Sequence, residues 1–480
     1  MKSSQFFSFL EKSANKFNDL FKDVSKFNSV KLISHLDTDG ITAASIFIKS
    51  LERANIIHSV SIVPTLDSET IESLCKDDAD VFVFTDLGSG QISLIQERIT
   101  DKPVFILDHH TLEETKINKN ITHVNPHLFD IDGGTQISGS GVVYFFCKAL
   151  NPINKDLAHL AIIGAIGDVQ ESRGFKPLNK LILDEAITNK KIKVTNSLRL
   201  FGIETRPLHK VLEFSSDPFI PGVSGSESGS IQFLQEIGIE PKKNDTGHEY
   251  NYNNWKKMSD LNKEEIKKLH SAIIMKRMEE KNPEDIFGPV YSLIDEKPET
   301  PFRDIREFST LLNSCGRMGN SSLGIGVCLD NPKIKKKALR NLTQYRKQII
   351  NALEWFHANR GTSRIIEGDG YVIINAKENI LHTIIGTLAS ILSKGKFFPE
   401  GTLILSLARN SNELTKVSLR VTSLKPMFDI DLRKVINKIT VSVGGESGGH
   451  QYASGAVIET IKENVFIDAA KKVLSNGFEN

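Results

Sequence analysis

Three short apolar runs in this chain each stop at a side chain that can bind a metal. Val30-Lys31-Leu32-Ile33-Ser34 meets His35-Leu36-Asp37-Thr38-Asp39-Gly40. Val81-Phe82-Val83-Phe84-Thr85 meets Asp86-Leu87-Gly88, and Val104-Phe105-Ile106-Leu107 meets Asp108-His109-His110. Runs of this length and composition read as buried strands of a parallel sheet. In open parallel sheets, ligands sit just beyond the carboxyl ends of the strands. If the three strands are parallel neighbours, their polar ends converge on one rim. A single Asp-His-His triplet is weak, because any three residues recur by chance; three matched strand ends carry far more weight.

The segments between the runs support that reading. Residues 38–53 form an expected helix, with Gly40 near its start and its free N–H groups directed at the rim, where they suit anions. A further strand is expected over 57–63, with helices starting at Ser68 and Ser89. The alternation β-α-β-α-β-α-β is that of a doubly wound α/β domain. The Gly/Asn/Pro-rich stretch from Thr122 reads as a loop, with His123 and His127 flanking Asn125-Pro126 as candidate supports of the site. Two apolar helices follow, over 138–150 and 156–167, and the second ends at Asp168. An acid at the end of a buried helix is costly unless it is paired or binds a metal.

A chain of 480 residues is too long for one ordinary core, so two or three domains are expected. Net charge is only +1, so any nucleic-acid contact must come from local patches. The four cysteines (Cys75, Cys147, Cys315, Cys328) show no CxxC spacing, which argues against a disulfide framework or structural zinc and for a reducing, cytoplasmic setting. The N-terminal segment reads as an amphipathic helix with Phe6, Phe9, Leu10, Phe17, Leu20, Phe21 and Val24 toward a core, and not as a signal peptide. No run approaches the ~18 apolar residues of a membrane span. The stretch 221–230 is loop-like, 241–255 is polar, and 261–280 is an amphipathic helix. A long helix rich in Lys and Arg begins near Asn331; its basic run reads as a solvated face before a nucleic-acid track. Strands over 371–376, 403–408 and 417–422 and a helix over 380–393 mark a second, smaller α/β domain.

The rim collects His35, Asp37, Asp39, Asp86, Asp108, His109, His110 and Asp168, with no cysteine. Singly, His35 would read as a structural histidine and Asp86 as a helix cap. Carboxylates mixed with imidazoles suit manganese or magnesium and disfavour thiophilic metals. Ligands in this number can hold two divalent ions ~4 Å apart, an arrangement that activates a water for phosphoryl transfer.

The motifs HLDTDG, the Asp86 strand end, DHH and GAIGD resemble the four motifs of the DHH phosphoesterase superfamily. GGHQYASG near the C-terminus resembles the signature of its DHH-associated domain. LLNSCGRMG and Ser418-Leu419-Arg420 resemble segments of RecJ exonucleases, in the form of the archaeal RecJ-like group. The resemblance covers most of the chain except roughly 230–300. It implies a DHH domain over 1–195, an inserted or linking helical module over 196–310, a connector over 311–357 and a DHH-associated substrate-binding domain over 358–480. It also implies one metal on His35, Asp37 and Asp86, and another on Asp39, Asp86, His109 and Asp168, with Asp86 bridging and manganese preferred over magnesium. Asp108 would support these ligands and His110 would contact the scissile phosphate. Arg317, Ser418, Arg420, Gly448, Gly449 and His450 would grip substrate phosphates. Two departures stand out: Ala453-Ser454 replaces an alanine pair, and Glu446-Ser447 interrupts the glycine run.

The implied activity is a metal-dependent exonuclease on single-stranded DNA, with RNA as a second substrate, the strand lying in a cleft between two domains. Two other functions remain open: a phosphodiesterase of short oligonucleotides or small nucleotides, and a replication scaffold docking the GINS complex through the insert.

Overall fold

The computed structural model describes residues 2–22, 26–171, 174–215, 218–243, 254–280, 282–395, 397–410, 413–422 and 430–475, with the side chain of His450 outside that set. The chain forms two compact units, Met1–Leu339 and Arg340–Asn480.

The first unit is built on a five-stranded, all-parallel sheet. Its strands are β1 (Ser29–His35), β2 (Ile57–Val63), β3 (Val81–Thr85), β4 (Val104–Leu107) and β5 (Ile121–Val124), in the spatial order β2-β1-β3-β4-β5. Helix α1 (Lys2–Leu20) precedes the sheet; α2 (Thr38–Arg53), α3 (Ser68–Leu74) and α4 (Ile92–Arg98) connect its strands; α5 (Gly139–Leu150), α6 (Ala158–Gly167) and α7 (Pro177–Thr188) follow it. One face packs Ile33, Phe82, Phe84 and Ile106 against Ile71, Leu74, Ile92 and Ile95 of α3 and α4. The opposite core is aromatic: Phe17 of α1 meets Phe47, Phe105 and Phe146 edge-on, at ring separations of 5.7, 5.2 and 6.0 Å. On α1, Phe6, Leu10 and Phe17 are buried while Phe9 and Leu20, and Phe21 just past its end, are only half-buried; Val24 lies outside the described residues.

Register decides the site. Ser34, Thr85, Leu107 and Val124 pair in one row across β1, β3, β4 and β5. The next residue of each strand is therefore His35, Asp86, Asp108 and Asn125, side by side at the carboxyl edge. The order 2-1-3-4-5 reverses direction between β1 and β3, the position where doubly wound sheets bind ligands. The fourth member of the row corrects the sequence reading. Thr122 and His123 break the apolar pattern, yet Ile121–Val124 is a buried strand, continued by a 3-10 turn over Pro126–Phe129.

Beyond α7 the chain forms a two-stranded antiparallel ribbon, β6 (Ile192–Leu198) with β7 (Phe287–Leu293). Between them α8 (Leu208–Glu213), α9 (Glu227–Glu236) and α10 (Lys263–Lys276) enclose a separate apolar cluster that includes Leu212, Phe233, Leu234, Leu269 and Ile273. Part of the expected loop over 221–230 is thus the first turn of α9, capped by Ser226, whose hydroxyl accepts the Gly229 N–H. Three helices follow: α11 (Ile305–Arg317), α12 (Ser321–Cys328) and the long α13 (Pro332–Asn359).

The second unit contains a six-stranded sheet of β8 (Ile365–Gly368), β9 (Tyr371–Asn375), β10 (Leu403–Arg409), β11 (Leu414–Val421), β12 (Glu446–His450) and β13 (Ala453–Glu459), ordered β12-β13-β11-β10-β9-β8. Only β9 and β10 run parallel. Helices α15 (Leu432–Val441) and α16 (Glu463–Ser475) cover one face through Leu432, Ile436, Phe466 and Leu474, while α14 (His382–Lys394) lies on the other.

Candidate metal centre

The β1 edge supplies three of the expected ligands within five residues. His35 ends the strand, Asp37 caps α2 by accepting the Gly40 N–H at 3.1 Å, and Asp39 sits in the first helical turn. His35 Nδ1 is 3.0 Å from Asp37 Oδ2 and 3.9 Å from Asp86 Oδ2. On the other side of Asp86, its Oδ1 is 3.3 Å from His109 Nε2, and that nitrogen is also 3.2 Å from Asp168 Oδ2 and 3.8 Å from Asp39 Oδ2. Asp86 thus turns one carboxylate oxygen to each of two ligand groups, His35–Asp37 and Asp39–His109–Asp168. Within each group, ligand atoms lie within 4.8 Å of one another.

The backbone is held in costly conformations to achieve this. Asp86 has φ +59°, a left-handed geometry that non-glycine residues avoid. Val169, next to Asp168, has φ +58°, rarer still for a β-branched residue. The first lies at a residue of the centre itself, the second directly after one.

Electrostatics call for positive charge here. Burial, then the charges of Asp39 and Asp37, push the Asp86 carboxyl well above the usual carboxylate range, and burial with Asp39 does the same to Asp168. Burial works to depress His109, but Asp86 and Asp168 outweigh it and hold the imidazole well above its ordinary value. Asp86 Oδ1 is buried and accepts no hydrogen bond of good geometry among the described residues. The Nδ1 of His109 donates to the Gly133 carbonyl at 2.8 Å, so Nε2, the nitrogen that faces the carboxylates, is the one that would give up its proton to bind a cation. Hard oxygen donors with imidazole, desolvated and mutually repelling, fit divalent cations. Aspartate, histidine and no thiolate make this a divalent-metal site.

Asp108 belongs to a third cluster, with Asp86, His109 and His110, whose ligand atoms also lie within 4.8 Å of one another. Its Oδ1 receives His110 Nδ1 at 2.7 Å and the His109 N–H at 2.8 Å, and its Oδ2 receives the Ser89 N–H at 3.0 Å. Burial opposes its ionisation, yet His110, His109 and these donors keep its carboxyl well below the usual range. His110 is one-third exposed and holds its ring against that of His109, with centroids 4.4 Å apart.

Several supporting residues escape a reading by motif. Gly139 and Ser140, at the start of α5, donate their N–H groups to Asp39 at 2.6 and 3.1 Å, using the helix N-terminus as an anion clasp. Asn125 donates to Ser89 Oγ at 2.8 Å and to the His110 carbonyl at 2.9 Å, and Ser89 Oγ pairs with His123 Nε2 at 2.8 Å. The one available signal was that Ile121–Val124 ends in a polar residue, as the three longer runs do.

The expected phosphate-gripping residues do not all fall in one unit. Arg317 ends α11 in the first unit; burial raises the Asp37 carboxyl, but His35, the Gly40 N–H and, last, the Arg317 charge outweigh it and hold that carboxyl well below the usual range. Ser418 and Arg420 lie on β11 in the second unit; Arg420 donates to Ser390 Oγ of α14 at 3.0 Å and to the Leu419 and Ser454 carbonyls. Gly448 and Gly449 are exposed on β12, an edge strand paired with Gly455 and Ser454, rather than in an open glycine turn. The backbone of His450 pairs with Ala453; its side chain lies outside the described residues.

Comparison with known proteins agrees with this architecture. Residues 29–165 match the N-terminal domain of the DHH family, 200–287 the DHH-CID domain and 369–476 the DHHA1 domain. An uncharacterized protein of Methanocaldococcus jannaschii is 31% identical over 466 residues, covering 94% of this chain and 95% of the relative. Among solved structures, CDC45 from Entamoeba histolytica superposes with a TM-score of 0.64 at 14% identity, covering 97% of this chain and 99% of that one. RecJ from Thermus thermophilus in complex with Mn2+ gives 0.57 at 14% identity and 98% coverage, this chain spanning 55% of its length. An exonuclease RecJ bound to manganese gives 0.55 at 14% identity, covering 97% of this chain and 94% of that one. At such identity these likenesses speak for the fold. A doubly wound domain with this carboxylate–imidazole rim, followed by the two partner domains, defines a DHH-type phosphoesterase, a hydrolase of phosphoester bonds. The chain belongs to the DHH phosphoesterase family.

Among the described residues no helix is long and apolar enough to cross a membrane.

Proposed function

We propose that the protein is a metal-dependent exonuclease specific for single strands, hydrolysing phosphodiester bonds of DNA to mononucleotides, with RNA as the second substrate. The observation that carries the reading is the placement of Asp86, one oxygen toward His35–Asp37 and the other toward Asp39–His109–Asp168. A carboxylate so placed would serve an ion in each group. The proposed cofactor is a pair of divalent ions, manganese before magnesium.

In this reading His35, Asp37 and Asp86 hold one ion, and Asp39, Asp86, His109 and Asp168 hold the other. When bound, the ions supply a water of lowered pKa and neutralise charge on the phosphoryl oxygens. The chain's own contribution is position. Asp108 fixes the His110 ring through Nδ1, which assigns any contact with the scissile phosphate to Nε2. Arg317 adds a fork of N–H donors near Asp37, suited to phosphate oxygens. In the second unit, Ser418, Arg420, Gly448, Gly449 and His450 are the proposed grip on the remaining backbone.

The small-nucleotide reading is weakened by likeness to RecJ along nearly the whole chain. The scaffold reading, with GINS docking on 196–310, is weakened by a complete ligand set, although the CDC45 fold supports a place in replication or repair. A cytoplasmic location accompanies these proposals.

The test uses single-stranded oligonucleotides labelled at the 5′ or the 3′ end, with Mn2+, Mg2+ or EDTA, and Asp86→Ala as control. Metal-dependent release of mononucleotides, lost in the control, is expected. Intact DNA and RNA under both metals would move the reading to small nucleotides.

A further inference from the structure

The carbonyl of Gly133 serves two donors. It accepts from His109 Nδ1 at 2.8 Å and from Gln170 Nε2 at 2.9 Å. We infer that Gln170 is a positioning residue for His109, acting through this carbonyl and braced in turn by Asn179. The inference rests on the metal reading of the centre.

Gln170 is 5% exposed and Asn179 is fully buried. The orientation of the Gln170 amide is forced by its neighbours. Its nitrogen faces two carbonyls, Gly133 and Ile137 at 2.9 and 3.4 Å, which can only accept. Its oxygen accepts from Asn179 Nδ2 at 2.8 Å. The backbone N–H of Asn179 donates to the Gln136 carbonyl at 3.0 Å, so the first turn of α7 is tied to the same 133–137 loop. That loop needs tying: it contains Gly133-Gly134, and at residue 133 a Cβ would stand 2.0 Å from the His109 carbonyl oxygen, which requires glycine there. The second donor fixes the direction of that carbonyl.

The left-handed turn at Val169 links the two tasks. It follows directly on Asp168, whose carboxylate faces His109 Nε2, and it returns the chain so that Gln170 reaches the carbonyl holding Nδ1 of the same ring. Three consecutive residues thereby set one expected ligand directly and orient another. Losing the prop frees the imidazole to rotate away from its lone-pair direction, and second-sphere partners of metal-binding histidines commonly govern affinity.

The test is Mn2+ affinity of the full chain, stripped with EDTA and titrated while free Mn2+ is followed by electron paramagnetic resonance. Gln170→Met keeps the volume and removes both the donor and the acceptor. It is expected to weaken Mn2+ binding about tenfold or more. In a His109→Ala background, the same substitution is expected to change affinity by less than about twofold. Circular dichroism in EDTA checks folding. Affinity within about twofold of wild type in the His109 background, or an equal loss in both backgrounds, overturns the inference; the second result marks general structural damage. If Gln170→Met does not fold, Asn179→Ala carries the same two-background comparison, because it frees only the far side of the amide. Wild-type protein that takes up no Mn2+ overturns the metal reading itself, and this inference with it.

Discussion

Gly316 packs so closely on Leu36 that a Cβ at residue 316 would stand 1.7 Å from the Leu36 carbonyl oxygen. The contact is one of several by which α11 holds the loop carrying His35, Asp37 and Asp39. Asn313 Oδ1 accepts the Thr38 N–H at 3.1 Å, and the Ser309 carbonyl accepts the Thr38 hydroxyl at 2.7 Å. A segment nearly 280 residues away in sequence thus fixes the first metal-binding loop, separated from Thr38 by 275 positions at Asn313. Gly316→Ala must push the loop or the helix aside. The cost expected for such overpacking is about 1–3 kcal/mol. Mn2+ affinity should fall with it, because His35 and Asp37 move together. A variant with unchanged melting temperature and unchanged Mn2+ binding would refute the bracing role.

Asp86 is destabilising on its own account and valuable only with a cation. Its carboxyl is pushed up by burial and by Asp39 and Asp37, so the metal-free fold loses stability as rising pH ionises it. A cation removes that penalty. Asp86→Asn is therefore expected to raise the melting temperature in EDTA at pH 8, by on the order of 1–2 °C for each kcal/mol relieved. The same variant should lose most of the stabilisation that Mn2+ gives wild type. Paired thermal scans with and without Mn2+ check both halves, and a variant that melts lower in EDTA contradicts the first.

His123 gives the acid limb a specific origin. Burial lowers its pKa to about 4 from an ordinary 6.5, while Nε2 pairs with Ser89 Oγ. Because the folded value is depressed, the fold favours the neutral ring. The associated stability is complete above pH 6.5 and is lost as pH falls through about 4. The difference amounts to about 3 kcal/mol, an order-of-magnitude figure. His123→Gln should be less stable than wild type at pH 7, with the gap narrowing steadily toward pH 4. Urea unfolding at several pH values measures it; a constant gap would show that the ring does not titrate in this way.

Much of this centre was legible in the chain itself, because strand ends advertise themselves. Apolar runs that stop at His35, Asp86 and Asp108 are constrained by burial on both faces of a parallel sheet, and their register follows from that burial. What escaped was local chemistry with weak patterning. β5 is four residues long and carries Thr122 and His123, which satisfy themselves on Lys16 and Ser89 rather than on a hydrophobic face. The hairpin β12–β13 was hidden by glycines, which lack any β signature yet pair at Gly448 and Gly455. Gln170 offered no signal at all, since its role exists only once a loop carbonyl 37 residues earlier is in place.

His110 should separate catalysis from metal binding. Its Nδ1 is committed to Asp108, whose carboxylate is held ionised by His110, His109 and Ser89 despite complete burial. His110 is also the member of the Asp-His-His triplet that keeps a third of its side chain accessible, whereas His109 is buried. A ring so oriented can meet a phosphate, and His110 also stands in a cluster with Asp86, Asp108 and His109 whose ligand atoms lie within 4.8 Å of one another. His110→Ala is expected to lower kcat by roughly 10²–10⁴, the usual range for a positioned proton donor or acceptor. Mn2+ affinity should change little. Asp108→Asn should reproduce part of the kcat loss, because the amide can no longer accept from both the ring and the backbone as a charge does. Steady-state cleavage beside Mn2+ titration decides it: a His110→Ala protein that loses metal and activity in parallel would reassign His110 to the metal itself.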